Sequence, residues 1–171
     1  MKLISKISVA ALAVFALVGA DRTFAASIEA DVALSYSPDA ASRQGGEDNI
    51  QVNLANALMG ANALHEQSGT GVRWRIAGFI QSTANPVDQD NGYILGLVAG
   101  DAAYADVRNF AASVGADLVS YFHHGTGAAG NAYQPGNYSA MQEQWLWLVV
   151  VAQELGHNYG GNHADDRLSP K

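Results

Sequence analysis

Gln153-Glu154-Leu155-Gly156-His157-Asn158-Tyr159-Gly160-Gly161-Asn162-His163 is the stretch that orders the reading of this 171-residue chain. Residues four apart on a helix lie one above the other on the same face. Position 153 and His157 therefore point at one place, where a metal ion could sit. Glu154 is one residue on, near enough to take a proton from a water held there. Gly160 follows the last expected helical turn, and glycine permits a left-handed backbone and a sharp stop. The chain can then turn back and bring His163 to the same metal. Three protein ligands with a fourth position left for water suit Zn2+. A plainer reading makes this a helix ending in a Gly-rich cap with two histidines beside it; it explains the glycines but not the spacing.

Upstream, residues 137–157 are expected to form the helix that carries this stretch. Its middle, residues 145–152, is apolar all round, which implies burial through a core. Working outward, residues 28–36 alternate Ile28, Ala30, Val32, Leu34 and Tyr36, the period of a strand. Residues 37–48 read as a Ser/Pro/Gly/Asp loop, and residues 49–65 as a helix ended by Ser68-Gly69. Residues 72–80 alternate again, and 81–92 are a polar loop. Residues 93–114 look helical with a break at Gly100-Asp101. Residues 118–122 form a short apolar strand, and 131–133 an edge strand. This order predicts an α/β fold, a mixed sheet with helices packed on it.

The N-terminus reads differently. Lys2 and Lys6 precede an uncharged, mostly apolar run over residues 7–20, and Thr23-Phe24-Ala25 follows with small residues. This predicts a secretory signal peptide over residues 1–25, cleaved after Ala25 or Ala26, and hence a secreted protein; a membrane anchor is the alternative. Residues 26–171 then form one domain with enough bulk for a core. The whole chain carries a formal charge of −7, and Lys2, Lys6 and Arg22 against Asp21 leave −9 beyond residue 25. Such an acidic surface argues against nucleic acid and anionic membranes as partners. With no cysteine, disulfides and thiol chemistry are excluded. No Gly-x-Ser-x-Gly occurs to suggest a serine hydrolase.

The motif resembles H-E-x-x-H-x-x-G-x-x-H, the zinc signature of the metzincin metalloproteases, matching at Glu154, His157, Gly160 and His163. Further stretches resemble the reprolysin (adamalysin-like) branch in a bacterial secreted form. Gly115-Ala116-Asp117-Leu118-Val119 is similar to that family's Gly-Ala-Asp-Leu-Val, and Gly130-Asn131-Ala132-Tyr133 to its Gly-Ile-Ala-Tyr edge strand. Val149-Val150-Val151-Ala152 leads into the motif as the family's helix does. The resemblance spans roughly residues 28–165. It implies a twisted sheet with long helices behind it and a cleft below the edge strand. An extended protein or peptide substrate pairs with that strand, and zinc sits on His157, His163 and Gln153 with Glu154 as general base.

The chain departs from the family at three points. Gln153 stands where the first histidine ligand belongs. Ala164 stands where the reprolysin pattern has Asp, with Asp165 and Asp166 following. No methionine follows His163, the last being Met141, so the family's methionine turn and the C-terminal subdomain around it are expected to be missing or truncated. An amide oxygen is a poorer zinc donor than imidazole. The resemblance thus implies a zinc endopeptidase of weak activity, or an inactive relative that binds extended peptides. Among other candidates, His123-His124 after the third strand reads as a polar loop beside the cleft, with a metal role as the alternative. His65 reads as a helix-end histidine, Asp88-Gln89-Asp90-Asn91-Gly92 as a solvated turn rather than a calcium loop, and Trp145 and Trp147 as packing residues.

Overall fold

The computed structural model describes residues 28–146 and 148–162. The signal-peptide segment, Trp147, His163, Ala164, Asp165 and Asp166 lie outside these residues. The fold is a mixed six-stranded sheet between two layers of helix. Strand β1 (Ile28–Tyr36) spans the residues that its alternation marks. It pairs in parallel with β2 (Val72–Gln81) on one side and β4 (Leu118–Thr126) on the other. Next come β6 (Tyr138–Gln142), parallel to β4, and β5 (Gly130–Ala132), antiparallel to β6. The order is β2-β1-β4-β6-β5. A short strand, β3 (Val87–Asp90), pairs with β4 from His124 to Thr126, beyond the end of β1.

One face of the sheet is covered by α1 (Pro38–Arg43), α2 (Glu47–Gln67) and α5 (Leu148–Asn158). Helix α2 turns Ile50, Leu54, Ala57, Leu58 and Ala61 inward, a helical stripe. These pack on Val32, Leu34, Trp74, Phe122 and Met141, with Val151 and Leu155 of α5. The other face is covered by α3 (Asn91–Gly100) and α4 (Ala105–Ser113), whose Ile94, Val98 and Val107 pack on Ala33, Val119, Tyr121 and Ala140. Adjacent residues of β1 and β4 thus serve opposite cores, as the two-residue period of a strand requires.

Five expectations need correction. Residues 37–48 are not a loop throughout: Ser37 accepts from the Ala40 N–H at 3.1 Å and caps α1, with Pro38 in its first turn. His123 and His124 do not follow the third strand but lie within it, because β3 prolongs the pairing of β4 past Phe122. Residues 87–90 are accordingly strand, and Asp90 caps α3 through the N–H groups of Gly92 and Tyr93. The last helix is also shorter than 137–157, since Tyr138–Gln142 is a central strand. Its Ser139 and Gln142 are buried, and the Ser120 and Ser139 hydroxyls bond across the ladder at 2.9 Å. A strand buried on both faces loses the alternation that would mark it. Helix α5 is not buried all round either: Val151 and Leu155 are enclosed, whereas Val149 is 57% exposed.

The two edges of the sheet are treated differently. At β2, the Asn62 carboxamide of α2 bonds both backbone groups of Trp74, each at 2.8 Å, and covers the edge. At β5, the bonds from Gln142 N–H to Ala129 O (3.0 Å) and from Tyr133 N–H to Tyr138 O (3.1 Å) face β6. The alternation of an antiparallel ladder then turns the peptide groups of Gly130 and Ala132 to the outer edge. Among the described residues, no helix is long and apolar enough to cross a membrane.

Candidate active site

Helix α5 presents Gln153, Glu154 and His157 to a cleft of about 360 Å³ whose far wall is residues 128–132 of the edge strand and the loop before it. The spacing read from the sequence thus converges on one cleft for these three residues; His163 lies outside the described residues. The helix ends as the glycine required. Gly160 has φ +85°, its N–H bonds His157 O at 2.7 Å, and Gly161 N–H bonds Gly156 O at 3.0 Å. This is a Schellman stop, in which the left-handed residue lets the chain reverse and satisfies the last carbonyls.

That reversal also orients His157. Its Nδ1 donates to Gly161 O at 2.6 Å. A carbonyl only accepts, so Nδ1 carries a proton, and whenever the ring is neutral its lone pair lies on Nε2. Metal-binding histidines are held in this way by a backbone carbonyl. Asn158, the last helical residue, ties the helix end to the β5–β6 hairpin by donating to Tyr133 O and Tyr138 O at 3.1 and 3.0 Å. Gln134, at the tip of that hairpin, bonds Gly161 O and Asn162 Oδ1.

Glu154 is 4% exposed, and its Oε2 has no hydrogen-bond partner among the described residues. Burial drives its carboxyl up to about 7, offset in part by the charge of nearby His157. The edge strand makes room for it: a Cβ on Gly130 would lie 2.6 Å from Glu154 Cγ. An imidazole fixed with Nε2 as acceptor suits a divalent cation, and the Glu154 carboxyl in the same cleft is placed to take a proton from a water held there. Among the described residues no three His, Asp, Glu or Cys side chains cluster as a metal site; a second imidazole would have to come from His163.

The other histidines are placed otherwise. His123 is fully buried, and burial holds its ring down at about 4. His124 Nδ1 meets Glu143 Oε1 at 3.0 Å, with Asp88 Oδ1 3.7 Å from Nε2. Neither lines the cleft. His65 closes α2 through Thr70 Oγ1 at 2.8 Å and stands edge-on to Trp74. Sequence reasoning placed Asn91 in a solvated turn over residues 88–92, whereas it opens α3 and is fully buried.

No protein-family model matches the chain, and no curated protein matches it. Solved structures do. A chain from a structure described as a chaperone–substrate complex superposes with a TM-score of 0.70 over 81% of this chain, at 22% identity. Metalloproteinase-II from Bacteroides fragilis superposes with a TM-score of 0.50 over 82% of this chain, at 11% identity. This chain spans 27% of the first and 45% of the second. These likenesses concern the fold alone: a mixed α/β architecture that the chain shares with both structures.

Proposed function

We propose that the chain is a secreted zinc-dependent endopeptidase of the reprolysin-like metzincin kind, acting on extended protein or peptide segments. The observation that carries this reading is the seat of Glu154. It is a buried carboxyl with an oxygen that has no hydrogen-bond partner among the described residues, laid against Gly130 of β5, whose outer edge pairs with no strand among them. His157, through Nε2, and His163 would hold Zn2+, with the Gln153 amide oxygen as a weaker third donor. Bound zinc supplies Lewis acidity and lowers the pKa of a coordinated water.

The chain's own residues do the rest. The outward peptide groups of Gly130 and Ala132 bind an extended substrate by strand addition, which fixes the scissile bond along the cleft. Glu154, whose carboxyl titrates near neutrality when metal-free, takes the proton of the attacking water at a carboxylate oxygen and delivers it to the leaving amine. Its burial keeps bulk water from competing. Gln153 lowers metal affinity and hence activity. A second reading is favoured by the same open edge, which needs no metal: a non-catalytic domain that binds extended peptides.

Casein cleavage by the wild type and by Glu154→Gln, with and without EDTA, tests the proposal. It expects slow cleavage that both EDTA and the substitution abolish. Cleavage that survives either would sink it, and peptide binding without cleavage would select the second reading.

A further inference from the structure

The face of the edge strand away from Glu154 is held by a buried polar chain that the proposed chemistry leaves unused. Asn91 opens α3 and is fully buried. Its Nδ2 donates to Ala128 O at 2.5 Å. That carbonyl only accepts, so the Asn91 Oδ1 must point the other way, and it meets His123 Nε2 at 2.6 Å. Nε2 is therefore the protonated nitrogen and the donor. Gln142 of β6 reaches the same Ala128 carbonyl from its Nε2 at 2.7 Å, while its backbone N–H bonds Ala129 O. Both lone pairs of Ala128 O are thus filled, one from α3 and one from β6. Two glycines leave room for the arrangement. A Cβ on Gly125 would lie 2.5 Å from His123 Cε1, and one on Gly127 2.5 Å from Asp90 Oδ2.

The other His123 nitrogen, Nδ1, lies 3.1 Å from His124 O, and with burial keeping the ring neutral and its single proton on Nε2 that contact carries no hydrogen bond; the geometry is fixed by the bonds from His123 to Asn91 and from Asn91 and Gln142 to Ala128 O. The chain begins in the core at His123 and ends on Ala128, which lines the cleft two residues before Gly130. We propose that Asn91 and His123 are positioning residues for the cleft. They fix Ala128, and through it the register in which Gly130 lies against Glu154 and offers its peptide groups to an extended ligand. The proposal rests on the reading of this cleft as a peptide-binding edge.

The test uses the full chain in EDTA, with two variants. Asn91→Asp keeps the acceptor for His123 and loses the donor to Ala128; Asn91→Ala loses both. Amide hydrogen exchange is followed residue by residue, and the affinity for fluorescein-labelled unfolded casein is measured beside it. The expected result is exchange about tenfold faster over residues 129–133, unchanged in β1 and β4, with casein binding weakened about tenfold. Unchanged exchange over 129–133 would overturn the proposal, as would a uniform rise across the sheet, which a purely structural role would give. Wild-type protein that binds no casein would remove the peptide-binding reading. Local loosening would then still support the positioning of the strand by Asn91.

Discussion

Gly130 and Glu154 compete for one volume: a methyl group added to the glycine would come within 2.6 Å of Glu154 Cγ and 2.8 Å of its Cδ. Gly130 is not among the glycines with positive φ, so its backbone suits alanine and the conflict is purely steric. Gly130→Ala must therefore displace either the glutamate or the strand. Overpacking of this kind costs about 1–3 kcal/mol. We expect a loss of that size in urea denaturation, together with loss of casein cleavage. A variant with unchanged stability and activity would show that the two residues do not share this seat.

Gly160→Ala tests the helix stop. At φ +85° a Cβ costs about 1–2 kcal/mol, and the space around Gly160 offers no other reason for a loss. The same change shifts Gly161 O, which fixes the His157 ring. Zinc affinity should therefore fall along with thermal stability. Equal affinity in the variant would separate the turn from the site.

How far the sequence carried the reading depended on whether a residue's role was local. The spacing of Gln153, Glu154 and His157 and the glycine stop are properties of one helix end, and they were legible. Strand β1 and helix α2 also showed their periods. Strand β6 did not, because Ser139 and Gln142 are buried by pairing on both sides and break the alternation. The seat of Glu154 on Gly130 and the bond from Asn91 to Ala128 join residues 24 and 37 positions apart. No local pattern could announce them.

Glu154 also gives the metal-free protein a signature in pH. Its folded carboxyl titrates at about 7, against an ordinary value of 4.5 in the unfolded chain. Between these values the folded state keeps a proton that the unfolded state has released. The group's contribution to stability is therefore complete below about pH 4.5 and is lost as pH rises through 7. Glu154→Gln in EDTA removes this loss. The melting temperature of the variant relative to wild type should climb from about pH 4.5 to about pH 8. A difference that stays flat across that range would show that the carboxyl is not held in a buried, neutral state.

Gln153→His supplies the imidazole that the zinc motif calls for. Zinc affinity should rise about tenfold or more, with cleavage rising in step, since Glu154 is already in place. Titration with a competing chelator measures the first and casein hydrolysis the second. Unchanged affinity would mean that position 153 does not face the metal. Tighter zinc without faster cleavage would place the limit in substrate positioning instead.

The zinc content of the purified wild-type protein, measured by inductively coupled plasma mass spectrometry beside His157→Ala, bears most directly on the central claim. The account predicts one zinc per wild-type chain after equilibration with micromolar metal, and a large loss in the variant with the fold retained by circular dichroism. Folded wild-type protein that holds no zinc, or a variant that holds as much as the wild type, would contradict it.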